Sequence, residues 1–416
     1  MSSDATYDVC IIGAGPAGCL AAKELATKGH KVIVFEQFSK SGFPNHCSGL
    51  ISEKGFRKLA VPLPHALIEN KIERARIYAP NGEFLQIRRK KKELMVIDRA
   101  GLDKFLADKA TDEGATFSFS NKVTQLVSHK FQIKGCAGKS KDGQWQTKAL
   151  VTICAEGVHG RILRQHGYPS PNHEWNLSAV QYEVKNVEID RDRVDLYHGS
   201  QWAPGFFAWI IPTRDNSARV GLAAMSKPRL PSRRLLDKFL IHHPIAADLL
   251  KGYRVTSVRG GTVPAAGPSP RTVYDGLVVV GDAAGQAKPT TGGGVNIGGH
   301  CARIAGAIIS DALESNQCNI NALRKYENSW RHLYQRELLL MSVFRRSFGR
   351  VPNKMIDETI GILKNIGVEK MLANVEDIDL HATELVSWLL KPNFLRQAAY
   401  GIPFLALGIY SAVVNS

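Results

Sequence analysis

The sequence has no segment that could cross a membrane and no sign of export. No window contains the ~20 predominantly apolar residues that a membrane-spanning helix needs. The first residues, MSSDATYDVCIIG, lack the basic start and long apolar run of a secretion signal. The seven cysteines form no C-x-x-C pair, and four of them lie among apolar or small residues: Cys10, Cys19, Cys154 and Cys301. We therefore expect a cytoplasmic protein with buried, reduced thiols.

The nearest approach to a membrane helix is the C-terminal stretch NFLRQAAYGIPFLALGIYSAVVNS. Arg396, Gln397 and Pro403 interrupt its apolar run. A segment of this kind can either lie on a membrane surface or pack against the rest of the protein. The sequence leaves both interpretations open, so peripheral contact with the inner face of the membrane is one expectation.

Acidic residues are few relative to basic ones. There are 54 Lys and Arg but only 38 Asp and Glu, for a net charge of +16, and such an excess attracts anionic partners. Basic residues concentrate in RRKKK (residues 88–92) and FRRSFGR (residues 344–350). These clusters are either solvated surface or binding sites for anionic headgroups and lipid phosphates. No helix-turn-helix, zinc or aromatic–basic module accompanies them, so neither a nucleic-acid partner nor a metal is expected.

The first forty residues carry the pattern of a nucleotide-binding unit. A β-branched run predicts a strand at Tyr7–Ile12, helix-forming residues occupy Ala17–Thr27, and Lys31–Phe35 predicts a second strand. Glu36 follows at the end of that strand, 18 positions after the last glycine of the intervening turn. An acidic residue there can accept hydrogen bonds from the hydroxyl groups of a ribose.

The turn between the first strand and the helix reads G-x-G-x-x-G, formed by Gly13, Gly15 and Gly18. The first glycine permits a tight turn, the second lets a pyrophosphate approach the backbone, and the third lets helix and strand pack closely. The free N–H groups at the start of the helix then bind the phosphates. The sequence predicts a dinucleotide-binding site here.

A second signature lies far along the chain, in YDGLVVVGDAAGQAKPTTGGGVNIGGHCARIAGAIIS (residues 274–310). A strand at Leu277–Val280 is followed by Gly281 and Asp282, a glycine-rich loop and a small-residue helix. This order resembles the second FAD fingerprint of glutathione-reductase-type flavoproteins. The resemblance implies that Asp282 binds the ribityl chain and that the amides of Gly294 and Val295 contact the pyrimidine end of the flavin.

Two weaker segments agree with an FAD-binding protein. Arg99 precedes a helix, as does an FAD-contacting arginine in this superfamily, although a lone arginine is usually a solvated charge. LVTICAEGVHGRILR, which ends at Arg164, resembles the strand-then-Asp-Gly segment of the aromatic hydroxylases. Glu156 stands where aspartate is usual, which weakens a hydroxylase interpretation.

Taken together, these motifs resemble the geranylgeranyl reductase family over roughly residues 5 to 345. The similarity also rests on PNHCSG (residues 44–49) and on the aromatic segment APGFFAWIIP (residues 203–212). It implies FAD as the cofactor and hydride transfer from flavin N5 to isolated C=C bonds of geranylgeranyl chains in isoprenoid ether-lipid precursors. The family's Tyr-x-Trp-x-Phe-Pro motif here contains Phe207, Trp209 and Ile211, so the pocket stays apolar but loses a phenol.

The resemblance also implies roles for individual residues. The cofactor contacts would be Gly13, Gly15, Ala17, Gly18, Glu36, Gln37, His46, Cys47, Gly49, Arg99, Val123, Gly281, Asp282, Gly293, Gly294 and Val295. The substrate would contact Phe206, Phe207, Trp209 and Pro289. From residue type alone, Cys47 is more often an inert thiol in a turn. The family match makes it a candidate catalytic residue that donates or relays a proton, and the two interpretations stay open.

Other functions compete with this one. The aromatic segment also resembles the Trp-x-Trp-x-Ile-Pro motif of flavin-dependent halogenases, but Lys54 matches their lysine only loosely. A flavin-dependent monooxygenase is a further alternative, and a flavin- or nucleic-acid-binding protein without turnover is an alternative of a different class. No separate nicotinamide domain is visible, so an external electron donor, NAD(P)H or a ferredoxin-like carrier, is expected beside the isoprenoid lipid substrate.

The expected fold class is α/β, a glutathione-reductase-type Rossmann FAD domain interleaved with an antiparallel-sheet substrate domain, followed by a helical region. The boundaries predicted for the FAD domain are 1–70, 95–165 and 260–320. The substrate domain takes 71–94 and 166–259, and the helical region takes 321–416. In that region, helical spacing predicts core positions at Leu323, Tyr326, Trp330 and Leu333.

Overall fold

The computed structural model describes residues 6–45, 47–225, 231–389 and 391. The strands, in chain order, are β1 (Thr6–Ile12), β2 (Val32–Phe35), β3 (Leu50–Ser52), β4 (Ile68–Ile72), β5 (Arg74–Tyr78), β6 (Phe84–Arg88), β7 (Leu94–Ile97), β8 (Thr116–Ser118), β9 (Lys122–His129), β10 (Gln132–Ser140), β11 (Gly143–Cys154), β12 (Leu177–Lys185), β13 (Arg193–His198), β14 (Phe207–Pro212), β15 (Ser217–Met225), β16 (Arg254–Val263), β17 (Val273–Tyr274) and β18 (Leu277–Val279).

The α-helices, in chain order, are α1 (Pro16–Thr27), α2 (Glu53–Arg57), α3 (Arg99–Asp112), α4 (Arg161–Gln165), α5 (Ser232–His242), α6 (Ala246–Leu249), α7 (Val295–Glu314), α8 (Ile320–Phe348), α9 (Asn353–Asn365), α10 (Val368–Asn374) and α11 (Ala382–Leu389). The strand–helix–strand unit predicted at the start of the chain and the strand predicted near residue 277 are confirmed.

The first sheet has a parallel core in the order β18-β11-β1-β2-β8, with β17 antiparallel at one edge. The hairpin of β9 and β10 continues from β11. Helices α1, α3, α7 and α8 cover one face, while the other face has its own core beneath β9 and β10. Because the central strands are buried on both faces, they read as continuous apolar runs instead of alternating ones. The four cysteines expected to be buried all lie in these cores with no exposed surface.

The second sheet has the order β16-β12-β15-β14-β13-β5-β6. The sequence predicts most of these strands, but the expectation that they form one antiparallel sheet is wrong at one pairing. β13 and β5 run parallel, with Arg193 opposite Arg74 and Tyr197 opposite Tyr78. The hairpin of β5 and β6 comes from a distant part of the chain, so its direction depends on how it docks and not on a local turn.

The two faces of this second sheet differ. One face packs on α5 and α6. The other carries an apolar cluster that includes Phe206, Trp209 and Ile211, together with Ile72 and Val96 from the small third sheet, β3-β7-β4. We call this set of side chains the apolar wall. It lies on the side of the sheet that contacts the segment after Cys47, because Leu50 packs against the same cluster.

The long helix α8 anchors the C-terminal helices to the first sheet. Leu323, Tyr326 and Trp330 are fully buried, as predicted, but Leu333 is 48% exposed, and the next buried position is Tyr334. At 3.6 residues per turn, the buried face continues from residue 330 to residue 334 and passes 333 by. Among the residues described, no helix has the length and apolarity needed to span a bilayer. The C-terminal apolar stretch lies outside those residues.

Candidate flavin site

The glycine turn after β1 has the backbone that the sequence predicts. Gly13 has φ +103°, and a side chain there would collide with the carbonyl of Ala155. A side chain at Gly18 would collide with the carbonyl of Gly13. Gly15 differs, because a Cβ on it would meet nothing within 4 Å. Gly15 caps the N-terminus of α1, so the open space lies beside the free N–H groups of that helix, where a pyrophosphate fits.

Glu36 lies beside the glycine turn. Its carboxylate accepts hydrogen bonds from the backbone N–H of Ala14 at 2.9 Å and from that of Phe38 at 3.0 Å. These two contacts fix the carboxylate beside the glycine turn and leave further lone pairs for a hydroxyl donor. Gln37 is exposed next to it. Ala17, in the first turn of α1, lies against Gly281 of the second signature, so the two predicted motifs meet.

Asp282 lies in a short helical turn, Gly281–Ala284, between β18 and the glycine-rich loop. Burial raises the pKa of its carboxyl to about 6, with Arg99 opposing the shift. Gly294 caps α7, and a side chain on it would collide with the Asp282 carboxylate. The carboxylate therefore lies at the N-terminus of α7, whose first residue is Val295. A cavity opens beside it, lined in part by Val158, Pro264, Ala266, Gly267 and Ala287.

Arg99 interacts with Asp282 and with Cys47 of the segment 47–49, which we call the cysteine loop. It is the first residue of α3 and donates to both oxygens of Asp103 at 2.8 and 3.0 Å. Burial disfavours its charge, but Asp103 and the thiol of Cys47 together raise the pKa of Arg99. Its Nε is buried and has no hydrogen-bond partner within the described part of the chain. This guanidinium therefore has an unused donor, and its charge acts on both Cys47 and Asp282.

Cys47 is partly exposed, in a short loop before β3. Its sulfur accepts from the N–H of Gly49 at 3.4 Å, and its own N–H donates to the side chain of Asn45. Gly49 has φ +76°, and a side chain there would collide with the carbonyl of Ile97. The glycine is therefore required by close packing as well as by its backbone angle. His46, predicted as a cofactor contact, lies outside the described residues.

Sequence reasoning missed Arg219, which donates hydrogen bonds to the backbone of the cysteine loop. This arginine on β15 is 4% exposed and donates to the carbonyl oxygens of Ser48 at 2.9 Å and Ile97 at 3.0 Å. Its charge is matched by Glu69 at 2.8 Å. The available signal was a lone arginine inside the apolar strand SARVGLAAM, because charged residues are rarely fully buried unless paired.

The predicted substrate residues Phe206, Phe207 and Trp209 lie together. The rings of Phe206 and Phe207 are stacked at 4.1 Å, and Trp209 meets Phe207 edge-on at 6.2 Å. The indole N–H of Trp209 donates to Gln181 at 3.1 Å, so its polar atom is satisfied within the sheet. These rings belong to the apolar wall, which also reaches Ala265, next to the cavity beside Asp282.

The glycine-rich loop contacts the C-terminal helical region, which the sequence did not predict. Lys288 forms an ion pair with Asp379 at 2.5 Å, and Asp379 also accepts from Ser52 at 2.5 Å and Asn296 at 2.9 Å. Burial opposes the charge of Asp379, but Lys288 and these donors lower the pKa of its carboxyl well below the usual range. The loop is therefore tied at once to β3, to α7 and to the segment before α11.

The remaining predicted residues lie in different places. Gly293 lies in the same loop, next to the side chain of Lys288, and Pro289 is buried there near Gly267. Val123 on β9 is buried in the core on the opposite face of the first sheet, and no contact among the described residues joins it to Asp282 or Cys47. Lys54, the loose match to a halogenase lysine, is paired with Glu376 at 2.7 Å at the surface.

Comparison with known proteins agrees with this geometry. The model of a family described as FAD binding domain matches residues 6–331. The chain is 31% identical to digeranylgeranylglycerophospholipid reductase 2 of Methanothermobacter thermautotrophicus, over 90% of this chain and 95% of that protein. Its fold matches a geranylgeranyl bacteriochlorophyll reductase-like protein of Thermoplasma acidophilum, with TM-score 0.84, 24% identity and coverage of 98% and 100%. A flavin-dependent brominase shares the fold with TM-score 0.72, 17% identity and coverage of 94% and 100%.

The two glycine motifs, the carboxylates of Glu36 and Asp282 and the matched domain define an FAD-binding oxidoreductase. The residues present fit the cofactor, because Gly15 leaves open space at the N-terminus of α1 and Asp282 offers a carboxylate at the N-terminus of α7. Within that class, the chain belongs to the digeranylgeranylglycerophospholipid reductase family.

Proposed function

We propose that this protein saturates isolated C=C bonds of geranylgeranyl chains in isoprenoid ether-lipid precursors. One observation carries the proposal: the apolar wall runs continuously from Leu50, beside the cysteine loop, through Phe206 and Trp209 to Ala265, beside the cavity at Asp282. We infer that an extended isoprenoid chain packs along this cluster. It would lie between a thiol and the end of α7 that the second FAD motif marks.

Bound reduced FAD supplies a hydride for one carbon of the double bond. The other carbon needs a proton, and the alkene has no carbonyl to absorb charge during the transfer. The chain's own residues supply what remains. The apolar wall would exclude water, and the rings of Phe207 and Trp209 would offer their negative π surfaces to developing positive charge.

Cys47 is the proposed source of the proton. Its thiol would give its proton to the second carbon, and the two transferred hydrogens then complete the C–H bonds of the saturated product. The thiolate that remains is next to the N–H of Gly49 and the Arg99 guanidinium, which both favour negative charge. Because Cys47 is partly exposed, solvent can return the proton.

The direct test is mass spectrometry of a geranylgeranyl lipid after anaerobic incubation with the reduced, FAD-loaded protein. We expect products heavier by two hydrogens for each bond reduced. Cys47→Ala should retain FAD but slow turnover by roughly 10²–10⁴-fold, the usual contribution of a general acid. The matched control is Cys318→Ala, the other partly buried cysteine, which should leave turnover unchanged. Full turnover by Cys47→Ala would remove the thiol from the mechanism.

The electron donor is proposed to be external, either NAD(P)H or a ferredoxin-like protein. Anaerobic mixing of the oxidised protein with each donor, followed at the flavin absorbance band, separates the two. We further propose a cytoplasmic location with peripheral contact at the inner membrane face. Flotation with anionic and with neutral vesicles tests this contact, and equal recovery from both would argue against an electrostatic attraction.

Halogenation is the competing function, because the brominase shares the fold. The surface ion pair of Lys54 with Glu376 counts against it, since that lysine is the candidate match for the halogenase residue. Incubation of the reduced protein with bromide, oxygen and an aromatic acceptor provides the discriminating experiment. Brominated product without lipid reduction would overturn the reductase proposal.

A further inference from the structure

Arg345 is a buried cation that has no counter-charge among the residues the structure describes. It lies in the last turn of α8 and is 5% exposed. None of its three guanidinium nitrogens has a hydrogen-bond partner in the parts of the chain that the structure describes. Burial lowers the pKa of Arg345 to about 10, so the side chain stays protonated at neutral pH. An unpaired buried charge is costly, which makes its retention in the fold informative.

The immediate surroundings of Arg345 are apolar or neutral. Its guanidinium carbon lies 5.3 Å from the centre of the Phe206 ring, which belongs to the apolar wall. Burial alone accounts for the lowered pKa of Arg345, with no contribution from a carboxylate in the described segments. No acidic residue within the described ranges forms an ion pair with Arg345.

Two exposed arginines, Arg346 and Arg350, carry further positive charge close to Arg345 in the chain. The guanidinium groups of Arg346 and Arg350 lie over the ring of Trp175, at 5.1 and 5.0 Å from its centre. Arg346 also donates to the carbonyl oxygen of Ala266 at 3.3 Å, and Ala266 lines the cavity beside Asp282. Three positive charges therefore lie within six residues at the end of α8, one against the apolar wall and two at the surface over Trp175.

We propose that Arg345, with Arg346 and Arg350, binds the phosphate or diphosphate group of the isoprenoid substrate. This inference rests on the proposed function and names the polar part of its substrate. The guanidinium fork matches the geometry of phosphate oxygens and forms charge-assisted hydrogen bonds with them. The ring of Phe206 touches both features, so one molecule with an anionic head and an apolar chain satisfies the arginine and covers the wall.

Binding, and not turnover, provides the test. The oxidised, FAD-loaded protein is titrated calorimetrically with geranylgeranyl phosphate, geranylgeraniol and inorganic phosphate. We expect the phosphate ester to bind roughly 10–100-fold more tightly than the alcohol, a preference that Arg345→Met abolishes and Arg345→Lys retains in part. Arg336→Met, on the exposed side of the same helix, is the matched control and should keep the preference.

Each outcome decides one point. An unchanged preference in folded, FAD-loaded Arg345→Met would overturn the site. Inorganic phosphate that binds as tightly as the ester would overturn the lipid as its source. Within the described residues Arg345 loses only its contact with the Phe206 ring, so the variant should melt close to the parent. The double variant Arg346→Met, Arg350→Met is a second test at the surface and should weaken the preference for the ester. If the ester binds through Arg345 but is never reduced, the proposed function fails while the site stands.

Discussion

Replacing Arg219 by methionine should destabilise the protein and loosen the cysteine loop. The change removes the donor to two buried carbonyls, those of Ser48 and Ile97, and leaves Glu69 without its cation. A hydrogen bond from a charged donor contributes about 1.5–3 kcal/mol, and breaking a buried ion pair costs about 3–5 kcal/mol. Since these contributions overlap, we expect a loss of roughly 3–5 kcal/mol in the free energy of unfolding.

Urea denaturation of the FAD-loaded protein, followed by tryptophan fluorescence, measures this loss. Arg219→Lys keeps the charge but cannot reach all three oxygens, so about 1–3 kcal/mol should be lost. Arg259→Met is a partial control, because Arg259 lies on β16 at the edge of the same sheet, is 29% exposed and shares the carboxylate of Glu183 with Arg219. It should cost less than about 1 kcal/mol.

A double-mutant cycle separates the ion pair of Arg219 with Glu69 from the hydrogen bonds that Arg219 donates to Ser48 and Ile97. Glu69→Gln removes the charge that Arg219 neutralises, so Arg219→Met should cost about 1–3 kcal/mol less in that background. The rate of alkylation of Cys47 by iodoacetamide reports on the loop and should rise in Arg219→Met. A loss below about 1 kcal/mol, or an equal loss with and without Glu69, would refute this account of the loop.

Three further predictions concern the flavin site. Gly15→Ala should leave the melting temperature of the apoprotein unchanged but weaken FAD binding in a fluorescence titration, whereas Gly18→Ala should destabilise the apoprotein itself. The raised pKa of Asp282, about 6, means that the folded apoprotein binds that proton more tightly than the unfolded chain. Its unfolding free energy should therefore fall by ~2–3 kcal/mol between about pH 4 and pH 6, and Asp282→Asn should flatten this slope. The lowered pKa of Asp379 has the opposite sign: Lys288→Met should cost ~3–5 kcal/mol at pH 7 by urea denaturation, and the difference from wild type should shrink below pH 4. An Asp282→Asn profile that falls as steeply as wild type between about pH 4 and pH 6, or a Lys288→Met loss as large at about pH 3 as at pH 7, would contradict these assignments.

The parts of the molecule that depend on local rules could be predicted from the sequence. The turn at Gly13, the helix that starts at Pro16 and the carboxylate of Glu36 lie within one short stretch, so spacing alone specifies them. The same holds for the strand and turn around Asp282. The FAD cofactor followed from these two stretches, and the family followed from them together with PNHCSG, Arg99 and the aromatic segment. The comparisons confirm both.

Contacts between distant segments could not be predicted. The parallel pairing of β13 with β5 joins residues more than a hundred positions apart, and no local signal encodes its direction. Arg345 belongs to a basic cluster that is typical of solvated surface, yet packing against Phe206 buries it. The error at Leu333 has a smaller cause, since an apolar residue one position off the buried stripe reads like a core residue when only spacing is counted.

The ion pair between Lys288 and Asp379 has a consequence for how the protein is made. The two residues are separated by 91 positions, so a ribosome adding about 5–20 residues per second needs roughly 5–20 s to deliver the second after the first. During that interval the glycine-rich loop exists without the carboxylate that ties it to β3 and α7. The nascent chain can pair β1, β11 and β18 and so bring both nucleotide-binding motifs together before this ion pair exists. The glycine-rich loop gains its anchor to Ser52 and Asn296 only after the segment before α11 has been synthesised.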